Sequence, residues 1–132
     1  MFWGLALSLL CLTSALYLPN LSLSLEGTLL FLFGFGTGAF MIGFTIGKEL
    51  NSVVLAASVI GLINTGDALF GAFSEPLAGK LLDVFWHGKM VAGSPVFSLH
   101  DYHLSLLMLP AYLVLALVML LFLRKQMFSA NA

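Results

Sequence analysis

Between Ser52 and Phe85 the chain runs SVVLAASVIGLINTGDALFGAFSEPLAGKLLDVF, an apolar stretch long enough to cross a bilayer that carries Asn64, Asp67, Glu75 and Pro76 within it. A carboxylate in hydrocarbon costs at least about 2.5 to 3.5 kcal/mol on insertion scales, so such residues face a protein interior or a water-filled path. That one requirement limits the folds open to the chain. A helix of this kind is one wall of something larger, and its polar seam marks the inner side.

The remaining sequence has the same solvent in mind. Hydrophobic residues make up 61% of the 132 positions and charged residues 8%. Soluble domains carry about 25% charged residues, so the expected class is an all-α polytopic membrane protein. The net charge of −1 supplies no basic patch and argues against nucleic acid as a partner. The partner implied directly is the lipid bilayer. Cys11 is the lone cysteine, so no intrachain disulfide is open to it, and it reads as a packed or lipid-facing thiol.

Four apolar runs are long enough to span about 30 Å of hydrocarbon. They cover residues 1–18, 28–46, a stretch within 53–85, and 104–123. Pro19-Asn20 ends the first run, and Glu26 precedes the second, where a carboxylate suits the positive end of a helix dipole. Gly47 to Asn51 forms a short polar turn into the third run. The loop 86–102 is expected on the extracytoplasmic side, and Ser98 with Asp101 has the spacing of a capping box at the entry to the fourth run. Lys48, Arg124 and Lys125 outnumber Lys89 and Lys80 across the membrane, which favours both termini in the cytoplasm. A signal peptide over residues 1–18 is a weaker reading, since no Lys or Arg precedes the run.

The four runs differ in kind. The first and last hold no ionisable residue and read as lipid-facing scaffold, with Pro110 a tolerated kink in the last. The second contains Gly34-x-x-x-Gly38 and Gly43-x-x-x-Gly47, spacings that allow a neighbouring backbone to approach closely. In the third, at about 100° per residue, Ala57, Asn64, Ala68, Gly71, Glu75 and Ala78 share one stripe, with Asp67 and Ser74 beside it. Leu62, Leu69, Phe73 and Leu77 occupy the opposite face. Asn64, Asp67, Gly71 and Glu75 are therefore the candidates for a substrate or ion pathway, and Gly34, Gly38, Gly43 and Gly47 for helix packing. Pro76 cannot donate to the carbonyl of Ala72, which leaves a polar notch beside Glu75.

His100, Asp101 and His103 form the one candidate metal cluster, but two imidazoles and a capping carboxylate commonly meet without a metal, and none is assigned. No nucleophile–base pairing, phosphate loop or cofactor fingerprint is visible. The expectation is a protein that is not an enzyme, with no catalytic residues and no cofactor.

The stretch GFGTGAFMIGFTIGKELN followed by ASVIGLINTGDALFGAFSEPLAGKLLD resembles the tenth and eleventh helices of major facilitator superfamily transporters. Gly61, Asn64, Gly71, the polar-Pro pair Glu75-Pro76 and the ending Gly79-Lys80-Leu81-Leu82-Asp83 carry the resemblance. Glu75 stands where that family more often has an amide. The resemblance implies part of a C-terminal transporter bundle, helices nine to twelve of twelve, with Gly-rich and polar helices around a cavity and plain helices outside. It implies a secondary active transporter for a small solute, with protons as the candidate coupling ion, in a plasma membrane such as the bacterial inner membrane. Such a piece, opening at Met1 directly into an apolar run, is expected to be a truncated remnant that needs the remaining transporter helices or self-association. Two alternatives remain open, a four-helix dimeric transporter of the small multidrug resistance type and a membrane subunit that does not itself transport.

Overall fold

The computed structural model describes residues 1–129, with side chains through Arg124. Among them the fold is helical apart from one two-stranded hairpin. The residues divide into two compact units, one made of Met1–Ile42 with the described residues from Leu109 on, the other of Gly43–Met108.

In the first unit, α1 (Phe2–Tyr17) and α2 (Leu23–Thr37) form a helical hairpin. Asn20 turns the chain at φ 57°, a left-handed conformation that asparagine tolerates. Ser22 caps α2 by accepting from the Leu25 N–H at 3.3 Å, and Glu26 lies in the first turn of that helix. The two helices run antiparallel, since Ser8 meets Phe33 while Gly4 meets Gly36 and Ala39.

This contact is closer than side chains would permit. A Cβ placed on Gly36 would overlap Ser8 Oγ and stand 2.7 Å from the Gly4 carbonyl oxygen. One placed on Gly4 would lie 2.6 Å from the Ala39 Cβ and 2.9 Å from the Gly36 carbonyl. Ser8, fully buried, donates its hydroxyl to the Phe33 carbonyl at 3.1 Å, and Cys11 and Leu12 continue the same buried seam one turn on. The first apolar run is thus no plain scaffold. Its Gly4-x-x-x-Ser8 spacing is a packing motif of small residues.

After α2 the helix tightens into a 3-10 turn at Gly38–Phe40 and resumes as α3 (Met41–Glu49). The second apolar run is therefore longer than 28–46 and is interrupted at its glycines. In the second unit, Asn51 donates to the Gly47 carbonyl at 2.8 Å, filling one acceptor at the end of α3. A 3-10 turn at Val53–Leu55 leads into α4 (Ala56–Phe85), which continues unbroken through Pro76.

A hairpin follows, with β1 (Met90–Val91) pairing antiparallel with β2 (Ser94–Pro95) in the register Met90 with Pro95 and Val91 with Ser94. Its two turn residues, Ala92 at φ 49° and Gly93 at φ 78°, have the positive angles of a type I′ turn. Then come α5 (Leu99–Ser105) and α6 (Met108–Ser129), separated at Leu106-Leu107. Pro110 is the third residue of α6 rather than an interior kink, and there its missing N–H breaks no helical bond.

Among the described residues, three helical stretches are long and apolar enough to cross a membrane: Leu23–Glu49, Val53–Phe85 and Leu99–Arg124. The expected fourth falls short. With 16 residues, α1 is about 24 Å long at the standard helical rise.

The α1–α2 contact makes a specific prediction. Gly36→Leu forces the hairpin apart because the obstacle is the Gly4 backbone, whereas Gly34→Leu, whose new Cβ meets nothing within 4 Å, does not. Cys11 in the buried seam is the reporter: a membrane-permeant maleimide should label it at least several-fold faster in the Gly36 variant. Equal labelling in the two variants would place the contact elsewhere.

Candidate functional site

The polar residues of α4 occupy one continuous helix about 45 Å long. Along its axis Asp67 and Gly71 lie within about 5 Å of the helix midpoint, with Asn64 about 10 Å to one side and Glu75 about 7 Å to the other. Around the axis Asn64, Gly71 and Glu75 fall within about 40° of each other, and Asp67 is about 60° from Asn64. The arrangement is a narrow ladder about the middle of a helix long and apolar enough to cross a membrane.

All four positions are exposed. Asn64, Asp67 and Glu75 have no hydrogen-bond or ion-pair partner among the described residues, and a Cβ on Gly71 would meet open space. By contrast Thr65 donates to the Gly61 carbonyl at 2.8 Å and Ser74 to the Phe70 carbonyl at 2.7 Å, so these two hydroxyls are satisfied within the helix. A carboxylate has no proton to donate in this way, and the Asn64 amide makes no such bond among the described residues. Helix α4 presents bulky side chains too, with Leu62 and Phe73 both 74% exposed on the face away from the ladder.

The packing glycines separate into distinct groups. Gly47 is a point of close approach, where a Cβ would lie 2.9 Å from Ile63 Cδ1 and 3.2 Å from Val59 Cγ1 of α4. Gly34 and Gly38 meet nothing within 4 Å, and the glycine buried against α1 is Gly36, a two-residue step that turns the helix by about 200°. Gly34 and Gly38 instead line an open groove of about 640 Å3 with Trp3, Leu7, Phe35 and Ile42. Gly43 lies on α3, near its start.

A second polar constellation joins the end of α4 to α5. The capping box forms as its spacing implies: the Asp101 N–H donates to Ser98 Oγ at 3.2 Å, and Asp101 Oδ2 accepts from the Ser98 N–H at 2.7 Å. Asp101 is 1% exposed, and its carbonyl accepts the Ser105 hydroxyl at 2.7 Å. Its other oxygen, Oδ1, is 2.7 Å from His87 Nδ1. A carboxylate oxygen accepts only, so the proton in that bond sits on Nδ1. Trp86, Phe97 and Tyr102 pack alongside in a tilted and an edge-to-face contact, with successive ring centroids 6.5 and 6.1 Å apart.

Sequence reading places Asp101 with His100 and His103, whereas the structure pairs it with His87, 14 residues earlier. Among the described residues no three His, Cys, Asp or Glu side chains converge to hold a metal ion. Ser8, Gly4 and Gly36 are the other residues not singled out from sequence, although the Gly4-x-x-x-Ser8 spacing was there to find. Comparison of the chain with protein-family models, with curated proteins and with solved structures finds no match.

The cap has a measurable strength. Ser98→Ala removes one of its two reciprocal bonds and should cost about 1 kcal/mol. Amide hydrogen exchange over residues 99–105 should accelerate about five-fold, while exchange in α1 and α2 stays as it was. Unchanged exchange in α5 would show the cap to be dispensable.

Proposed function

We propose that this chain is the C-terminal part of a secondary active transporter of the major facilitator type, moving a small solute, and that α4 lines its pathway. The observation that carries the reading is the unpartnered ladder of Asn64, Asp67, Gly71 and Glu75 at the midpoint of a membrane-length helix. Binding sites in secondary transporters lie near the bilayer midplane, between bundles that rock against each other. The resemblance of residues 34–51 and 57–83 to the tenth and eleventh helices of that superfamily supports the same assignment. The interruption at Gly38–Phe40 fits a helix beside a cavity, where departures from α geometry are tolerated.

In this reading the ladder faces the helices of the other bundle, and Leu62, Leu69, Phe73 and Leu77 face lipid or apolar packing. Asp67 and Glu75 couple transport to protons or gate it, Asn64 contacts solute, and Gly71 admits the solute or a neighbouring backbone. The chain spans the bilayer four times in a plasma membrane with both termini in the cytoplasm, α1 crossing beside α2. Alone it does not transport, because alternating access needs the opposing bundle.

Photo-crosslinking tests the reading directly. A photoreactive residue at Ala68, on the ladder, should give protein adducts in the native membrane, and one at Phe73 should give lipid adducts. Identical products from the two positions would remove the interior face. Saturable, gradient-driven solute uptake by the purified chain in liposomes would replace the proposal with a self-sufficient dimeric four-helix transporter.

Topology is checked separately. A cysteine at Ser94 should react with an impermeant thiol reagent added outside, and one at Ser52 should not. Labelling at Ser52 from outside would reverse the orientation.

A further inference from the structure

The bond between His87 and Asp101 does more than close a turn. By holding the proton on Nδ1 it leaves the lone pair of His87 on Nε2, and that nitrogen has no partner among the described residues. The carboxylate that fixes the ring is itself fixed by Ser98 and shielded from solvent. A histidine whose far nitrogen donates to a carboxylate is the arrangement that orients metal ligands and raises their basicity. Beside it stands His100, its ring centroid 6.3 Å away, and both line one open pocket of about 330 Å3 with Lys89, Val96 and Phe97.

The ring separation is itself informative. With metal–nitrogen bonds of about 2.0–2.1 Å, two imidazoles on one tetrahedral ion have centroids about 5 Å apart. The observed 6.3 Å is longer, so the His100 ring must close on His87 by about 1 Å for the two to share an ion. His100 is exposed, so its ring can settle onto an ion while His87 stays held by Asp101.

We propose that His87 and His100 form an open two-imidazole site for a divalent transition ion such as Zn2+ or Cu2+, with Asp101 as the positioning residue for His87. Imidazole pairs select these ions over Mg2+ and Ca2+, which prefer oxygen ligands. Water completes the coordination sphere, so the site is exchangeable and does not hold the fold together. Asp101 is not a ligand as placed, because it is buried and its oxygens hold the His87 ring and the Ser98 N–H. The site differs in composition from the His100, Asp101 and His103 cluster that spacing alone suggests, and it stands independently of the transport reading.

The test is calorimetric titration of the purified full chain in detergent, free of any histidine tag, with Zn2+ and in parallel with Mg2+. Saturable binding of one Zn2+ per chain, none of Mg2+, and loss of binding in both His87→Ala and His100→Ala are expected. His103→Ala should bind as the parent does. Asp101→Asn should weaken binding about 10- to 100-fold, as loss of an orienting carboxylate does elsewhere. Far-UV circular dichroism of each metal-free variant separates a lost ligand from a lost fold. Should Asp101→Asn lose helicity, the two histidine variants, which leave the capping box intact, decide the matter. No Zn2+ binding by the parent, or binding that survives His87→Ala, would overturn the site.

Discussion

A polar group inside hydrocarbon must find a partner within protein or trapped water, because lipid offers neither donor nor acceptor. The described residues meet this demand in two ways. Ser8, Thr28, Thr37, Thr65, Ser74 and Ser105 all donate to backbone carbonyls, five of them one turn back on their own helix and Ser8 across to Phe33. Asn64, Asp67 and Glu75 make no such bond, the two carboxylates having no proton to donate, and they stand open. These bonded hydroxyls contrast with the unanswered carboxylates of α4, the part that in the transport reading meets a neighbour. That contrast is why the transport reading rests on α4.

Local features were legible in the sequence where a few adjacent residues determine them. The capping box of Ser98 and Asp101 depends on a three-residue spacing, and it forms. The third apolar run ends at Phe85 as read, since a Gly-containing polar loop follows at once. The turn at Pro19-Asn20 is of the same kind. In contrast, Gly34, Gly36 and Gly38 are chemically identical, and only the identity of the facing helix decides which one is buried. That helix brings Ser8 and Gly4, so Gly36 is chosen. The hairpin at Met90–Pro95 was equally hidden, because Ala92-Gly93 lacks the asparagine or aspartate that usually announces a type I′ turn. His87 and Asp101 meet only after the hairpin has folded back, a relation that no helical period encodes.

For the candidate site the balance is reversed. Its residues were visible from composition alone, as ionisable and amide groups in an apolar run, and the structure adds their depth and exposure. In the transport reading they face the opposing bundle, which neither periodicity nor the fold of one chain supplies. The bounds of α1, Phe2–Tyr17, follow the apolar run 1–18 to within one residue at each end, and what falls short is its length against the bilayer.

The length of α4 ties the molecule to the thickness of its membrane. Upright, about 45 Å of helix exceeds about 30 Å of hydrocarbon and matches the full bilayer including headgroups. Transmembrane helices tilt by up to about 40° to relieve such mismatch. Near the ends of α4, that movement draws Lys80 and Asp83 towards or away from the headgroups, where charge is readily hydrated. Near the midpoint, Asp67 and Gly71 keep almost the same depth whatever the tilt, because a rotation about the centre displaces the centre least. A polar ladder placed there keeps its position in the dielectric profile when lipids change, while the ends of the helix absorb the adjustment.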